Sequence, residues 1–156
     1  MKLLLSSNST LHGEPYLQFC KEEINLFLKN HKSKNIIFIP FAAVTLSYSD
    51  YLSNVTKGLD NSDIRITSIH DYENKQAAIE AADAIMVGGG NSFKLLNEVY
   101  ENDLLEIIQE QVKQGTPYIG WSAGSNLACP TIKTTNDMPI VYPPSFDSLN
   151  VIPFQI

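Results

Sequence analysis

Two cysteines, Cys20 and Cys129, are all that the chain contains, and they stand too far apart for a metal-ligand spacing or a disulfide framework. They read as reduced, partly buried thiols. No apolar run approaches the roughly 18 residues of a membrane span. The opening run, Met1 to Leu5, stops at Ser6 with neither a charged leader nor a small-residue cleavage site, so it reads as a first strand. Basic side chains are scarce: 11 Lys and Arg face 17 Asp and Glu, for a net charge of −6. They are also scattered, which excludes the basic stripe a nucleic-acid partner needs. A soluble, cytoplasmic protein is the expectation. Repeats and low-complexity segments are missing as well.

What is present is enough for one core. At 156 residues and 44% hydrophobic, the chain predicts a single α/β domain. Short apolar runs alternate with helical patterns, the mark of βαβ units and a mainly parallel sheet with helices on both faces. Strands are expected at Lys2 to Ser7, Asn35 to Pro40, Ile64 to Ile69, Ala84 to Val87 and Pro117 to Gly120. Helices are expected at Tyr16 to Asn30, Ser47 to Leu59, Lys75 to Ala82, Ser92 to Tyr100 and Asp103 to Gln114. A short helix, Cys129 within it, should start near Ala123 and stop before Pro130. The runs Ile36 to Ile39 and Ala84 to Val87 are continuously apolar, as central strands are. From Thr131 onward Pro139, Pro143, Pro144 and Pro153 leave only loops and short strands, and Leu149 to Ile156 reads as a strand. Asp83 and the Glu-rich helix faces read as solvated surface.

Gly120-Trp121-Ser122-Ala123-Gly124 is a G-x-S-x-G stretch directly after an apolar strand. That is a nucleophile elbow, a strand-to-helix turn that pushes the serine hydroxyl clear of the sheet. Ligands of parallel sheets bind beyond the carboxyl ends of the strands, and polar or glycine-rich clusters fall there. Among them are Ser7 to Thr10, Phe41 to Thr45 and Gly88-Gly89-Gly90-Asn91-Ser92. The glycine loop lacks the Gly-Lys-Ser/Thr of a P-loop and the third glycine of a dinucleotide fingerprint. No cofactor or metal is therefore expected. Backbone N–H groups at a helix start suit an oxyanion instead, one donor from this loop and a second from Ala123. Gly89 and Asn91 are expected to touch the substrate.

A serine nucleophile needs a base, normally a histidine oriented by a carboxylate. Asp137 and Asp147 are candidate acids, but no histidine follows Ser122. Of the three present, His12 and His70 should lie on the rim that carries the elbow and His31 on the opposite one.

Four stretches together are more specific: Leu5 to Thr10, Phe38 to Ala42, Val87 to Ser92 and Tyr118 to Ile132, extended by Thr134 to Val141. They closely resemble the peptidase E family of α-aspartyl dipeptidases, over nearly the whole chain. The resemblance implies a cytoplasmic serine peptidase that cleaves dipeptides with N-terminal aspartate, on a three-layer fold like that of class I glutamine amidotransferases. By position it implies Ser122 as nucleophile, Gly90 and Ala123 as oxyanion donors, and Asp137 as triad acid. Family members carry the catalytic histidine, and a basic residue for the aspartyl carboxylate, beyond the point matching Ile156. The expectation is thus an incomplete domain at residues 1–156, nearly inactive alone, with a small peptide as partner and a monomeric or homodimeric state. A related hydrolase of other aspartyl-containing substrates, or a non-catalytic module that holds a small anion or dipeptide, are the alternatives.

Overall fold

The computed structural model describes residues 1–156. In chain order it contains β1 (Leu3–Ser6), a 3-10 turn (Gln18–Cys20), α1 (Lys21–Asn30), β2 (Asn35–Ile39), α2 (Tyr48–Leu59) and β3 (Arg65–Ser68). A second 3-10 turn (Ile69–Asp71) leads to α3 (Lys75–Glu80), β4 (Ala84–Val87), α4 (Ser92–Glu101), α5 (Leu105–Gln114), β5 (Tyr118–Trp121) and α6 (Ala123–Leu127). Side-chain caps set several starts. The Ser47 hydroxyl accepts from the Asp50 N–H at the head of α2, and Asn74 and Asn91 do the same for Ala77 and Lys94 at α3 and α4. Gly115 closes α5 at φ 110°, the left-handed conformation glycine adopts freely.

All five strands are parallel, in the order β1-β5-β4-β2-β3. The chain crosses the sheet one way from β1 through β2 to β3, then returns through β4 to β5. Right-handed crossovers put the helices of the outward and return journeys on opposite faces. Accordingly Ile24, Leu28, Val55 and Leu59 of α1 and α2 pack on Ile36, Phe38 and Met86. Ile79, Leu96, Ile108 and Leu127 of α3 to α6 pack on Ile37, Ile85 and Tyr118. β4 and β2 are interior and almost fully buried, as their apolar runs require. The neighbours β1 and β5 lead to helices on opposite faces, and so do β4 and β2. Both crevices open at the carboxyl ends, where parallel sheets place ligands.

Three expectations are corrected. The first helix begins at Lys21 instead of Tyr16, because Leu17 takes φ 60° and its N–H donates to the Ser9 carbonyl (2.8 Å), turning a buried leucine out of helical register. α5 begins at Leu105 because Asp103 is left-handed, φ 53°, in the turn that ends α4. After Thr131 there is no strand, only an isolated bridge between Thr131 and Asp147. Leu149 and Val151 are buried, and their N–H groups cap the last carbonyls of α6 at Leu127 and Ala128 (3.0 Å each). That end is apolar because it plugs a helix terminus. Cys129 likewise lies beyond α6, and both thiols are free and buried.

Candidate active site

Ser122 stands between β5 and α6 at φ 52°, ψ −117°, a conformation that costs a non-glycine residue on the order of 1–3 kcal/mol. Its surroundings enforce it. The Ser122 N–H donates to the Ser6 carbonyl (2.9 Å), extending the β1 pairing by one residue, and the Ser122 carbonyl accepts from Ser125 (2.8 Å) and Asn126 (3.0 Å). The Ser125 hydroxyl reaches both the Ser6 and Gly120 carbonyls, and the Tyr118 phenol donates to the Gly124 carbonyl at 2.6 Å. Gly120 and Gly124 allow α6 to lie directly on the sheet: a methyl group on Gly124 would strike the Val87 carbonyl.

The loop after β4 runs beside this elbow. A Cβ on Gly89 would come within 2.9 Å of the Ser122 Cβ. Gly90 has φ 138° and its Cα faces the Ala42 carbonyl so closely that no side chain fits. The Gly88 N–H is bound by Ile39 and that of Asn91 by Ala42, whereas those of Gly89 and Gly90 donate to no protein acceptor. Ala123 opens α6, where an N–H has no acceptor within its own helix. N–H groups without a protein acceptor thus lie on two segments beside Ser122, the loop after β4 and the head of α6. The Asn91 side chain is occupied, its oxygen by the Lys94 N–H and its amide donating to the Met138 carbonyl at 2.8 Å.

Asp137 reaches the same region from the last third of the chain. Its Oδ2 accepts from the Ser92 N–H at the start of α4 (2.7 Å) and from the Thr135 hydroxyl (3.1 Å). The helix dipole favours a carboxylate there. Ser122, Ser125, Asn126, Thr135 and Asp137 line one open cleft of about 570 Å³. Asp147 is exposed, pairs with Thr131 and is not part of that cleft.

None of the histidines joins it. His12 is exposed and outside the cleft lining. His31 packs edge-on against Phe27 beyond α1. His70 sits beyond β3, three strands from β5 and so about 14 Å across the sheet. Its Nδ1 meets the Ser68 hydroxyl at 2.5 Å and its Nε2 lies 3.2 Å from Asp71. Burial pushes the Cys20 and Cys129 thiols up, which leaves both poor nucleophiles.

Sequence reasoning missed two supports of the site, Ser125 and Tyr51. Tyr51 donates to the Gly89 carbonyl at 3.0 Å from a helix on the other face of the sheet. No motif signals it. Asp83, exposed as expected, also ties β2 to the turn before β4: its Oδ2 accepts from the Lys34 and Asn35 N–H groups (3.0 and 2.8 Å).

Comparison with known proteins places these features in a wider group. A sequence profile of peptidase family S51 matches residues 3–156. Peptidase E of a Nostoc species is 52% identical over 155 residues, and that of Shewanella denitrificans 50% identical over 153. These alignments cover 99% and 98% of this chain, and the chain spans 64% of the length of each relative. A candidate peptidase E of known structure from Listeria monocytogenes superposes with a TM-score of 0.75 at 28% identity, covering 99% of this chain and 77% of that one. A peptidase from an acI-B1 actinobacterium shares the fold, with a TM-score of 0.66 at 16% identity over 96% of this chain and 64% of its own.

Proposed function

The chain belongs to peptidase family S51, and on that footing we propose that it forms the nucleophile-bearing part of a serine peptidase that hydrolyses dipeptides with N-terminal aspartate. The observation that carries the reading is the strained Ser122 held against a glycine loop in which the Gly89 and Gly90 N–H groups are free. In the first step Ser122 Oγ attacks the peptide carbonyl carbon and its proton passes to a base. The carbonyl oxygen gains negative charge and is held by the Gly90 and Ala123 N–H groups. As the tetrahedral intermediate collapses, the base returns its proton to the leaving nitrogen, which releases the second residue as a free amine and leaves an aspartyl ester on Ser122. Water, deprotonated by the same base, then frees aspartate and restores the hydroxyl.

Gly89 and Asn91 shape the loop on the substrate side. Asp137, anchored on α4, takes the place of the triad carboxylate, which orients a base and stabilises it once charged. His12, His31 and His70 all stand away from Ser122, so the 156 residues alone should turn over Asp-Leu on the order of 10⁴-fold more slowly than an intact triad would. The setting that goes with this reading is the cytoplasm, without cofactor or metal.

In a protein that carries the base as well, a fluorophosphonate should label Ser122 and no other residue, read by peptide mass spectrometry, and Ser122→Ala should remove the label without changing the fold. Labelling that survives this substitution would falsify the nucleophile assignment. Asp-Leu against Ala-Leu and Glu-Leu separates the aspartyl specificity from that of a related hydrolase. Calorimetric binding of Asp-Leu with no phosphonate labelling would favour a non-catalytic binding module.

A further inference from the structure

The peptide unit between Gly89 and Gly90 carries the N–H on which the oxyanion reading depends. It is trans, so its carbonyl and its N–H point to opposite sides, and whatever holds the carbonyl aims the N–H. Consecutive glycines do not hold a direction by themselves, because their backbone is the least restricted of any residue. The holder comes from below the sheet. Tyr51, in the first turn of α2, is 6% exposed, and its phenol donates to the Gly89 carbonyl at 3.0 Å.

The hydrogen-bond directions around that phenol are forced. A carbonyl only accepts, so the single Tyr51 proton is committed to Gly89. The Tyr16 hydroxyl and the Trp121 indole Nε1–H, each 3.2 Å from the Tyr51 oxygen, must therefore donate to it. Trp121 immediately precedes Ser122. One phenol oxygen thus joins the end of β5 to the loop after β4, the two segments between which the oxyanion must sit. The fit is close, because a Cβ on Gly88 would lie 2.6 Å from the Tyr51 hydroxyl. Phe38 packs edge-on against the Tyr51 ring at 5.0 Å and limits its movement. Burial pushes the phenols of Tyr51 and Tyr16 up, so both keep their protons through neutral and mildly alkaline pH.

We propose that Tyr51 is a positioning residue for the oxyanion hole, fixing the Gly90 N–H toward the oxygen that develops charge at Ser122 by holding the Gly89 carbonyl from behind. This rests on the assignment of Ser122 and Gly90 made above. Tyr16 and Trp121 steady the Tyr51 oxygen, and of the three only Tyr51 hydrogen-bonds to the loop.

The test uses the 156-residue chain and p-nitrophenyl acetate, whose leaving group departs without a general acid, with imidazole in every sample as a diffusible base for Ser122, so that oxyanion stabilisation is read. Ser122→Ala defines the background. Removing an oxyanion donor costs on the order of 10²–10³ in kcat; misaiming one by Tyr51→Phe should cost about tenfold to a hundredfold in the Ser122-dependent kcat, with KM unchanged. Tyr16→Phe is the control. It also removes a phenol from the cluster but leaves the Tyr51 to Gly89 bond, so its kcat should stay within about threefold of the parent by the same reasoning. Equal rates in the parent and Ser122→Ala would overturn the nucleophile assignment and this proposal with it. Ser122-dependent rates that Tyr51→Phe leaves unchanged, or that Tyr16→Phe lowers as much, would overturn this proposal alone. A measurement on the parent chain needs no variant to fold: NMR should show the Tyr51 hydroxyl proton as a slowly exchanging resonance, close in space to the Gly89 and Gly90 amide protons. A rapidly exchanging hydroxyl would overturn the proposal.

Discussion

Replacing Ser122 by glycine should make the protein more stable while removing its proposed nucleophile. At φ 52°, ψ −117° a residue with a Cβ stores on the order of 1–3 kcal/mol, which glycine does not. Against this, glycine gives the unfolded chain additional freedom worth roughly 0.5–1 kcal/mol. The Ser122 hydroxyl makes no capping bond to α6, so its loss sacrifices none. The balance is a gain of about 1 kcal/mol. With an unfolding entropy near 2.1 cal/mol/K per residue, a chain of 156 residues loses or gains about 3 °C in Tm for each kcal/mol. Ser122→Gly should therefore melt about 3 °C above the parent by calorimetry. Ser122→Ala keeps the Cβ, hence the strain, and should melt within about 1 °C of it. The contrast between these two variants isolates the backbone. If alanine and glycine melt together, the elbow is not strained and its unusual angles carry no stored energy.

Gly90→Ala forces a methyl group into the Ala42 carbonyl at positive φ, and should cost about 2–4 kcal/mol in urea unfolding. Unchanged stability would mean that the loop is free to move off the β2 end. The Asp83 carboxylate is held below its ordinary range chiefly by the Asn35 N–H. A depressed carboxylate stabilises the fold above its unfolded value and ceases to as pH falls through the folded one. The stability difference between the parent and Asp83→Ala should be present at pH 7 and shrink below about pH 4, and a difference that grows on acidification would refute the bond. Cys20 and Cys129 should react with Ellman's reagent only on the timescale of unfolding, because burial raises both thiols. Immediate modification of either in the native protein would show its site to be open.

Periodicity located the sheet because β2 and β4 are sealed on both faces, and a sealed strand has no choice but to be apolar throughout. The elbow was legible for a different reason: its glycines are demanded by contacts within a few residues, such as Gly120 against Gly124. Where partners are remote the sequence falls silent. Leu17 leaves helical geometry for the Ser9 carbonyl, and Leu149 to Val151 imitate a strand while capping α6. Tyr51 looks like any apolar-face residue of α2, since its partners Gly89 and Trp121 come from two other segments. Ser122 was singled out by its motif, and Asp137 was one of two candidate acids that only the family resemblance separated. That they line one cleft became visible only once Asp137 was seen bound at the head of α4.

The strand order also sets a schedule for synthesis. β1 leaves the ribosome before the other strands of the sheet, yet its only neighbour is β5, with Leu3 paired to Tyr118. At roughly 5–20 residues per second, β1 waits on the order of ten seconds for that partner. Ser122 takes its constrained angles only when its N–H meets the Ser6 carbonyl, a closure between the first and the last strand of the sheet. A nascent chain therefore carries Ser122 at unconstrained backbone angles until the whole sheet has closed around it. The turn at Ser122 is therefore the last part of the five-stranded sheet to take shape.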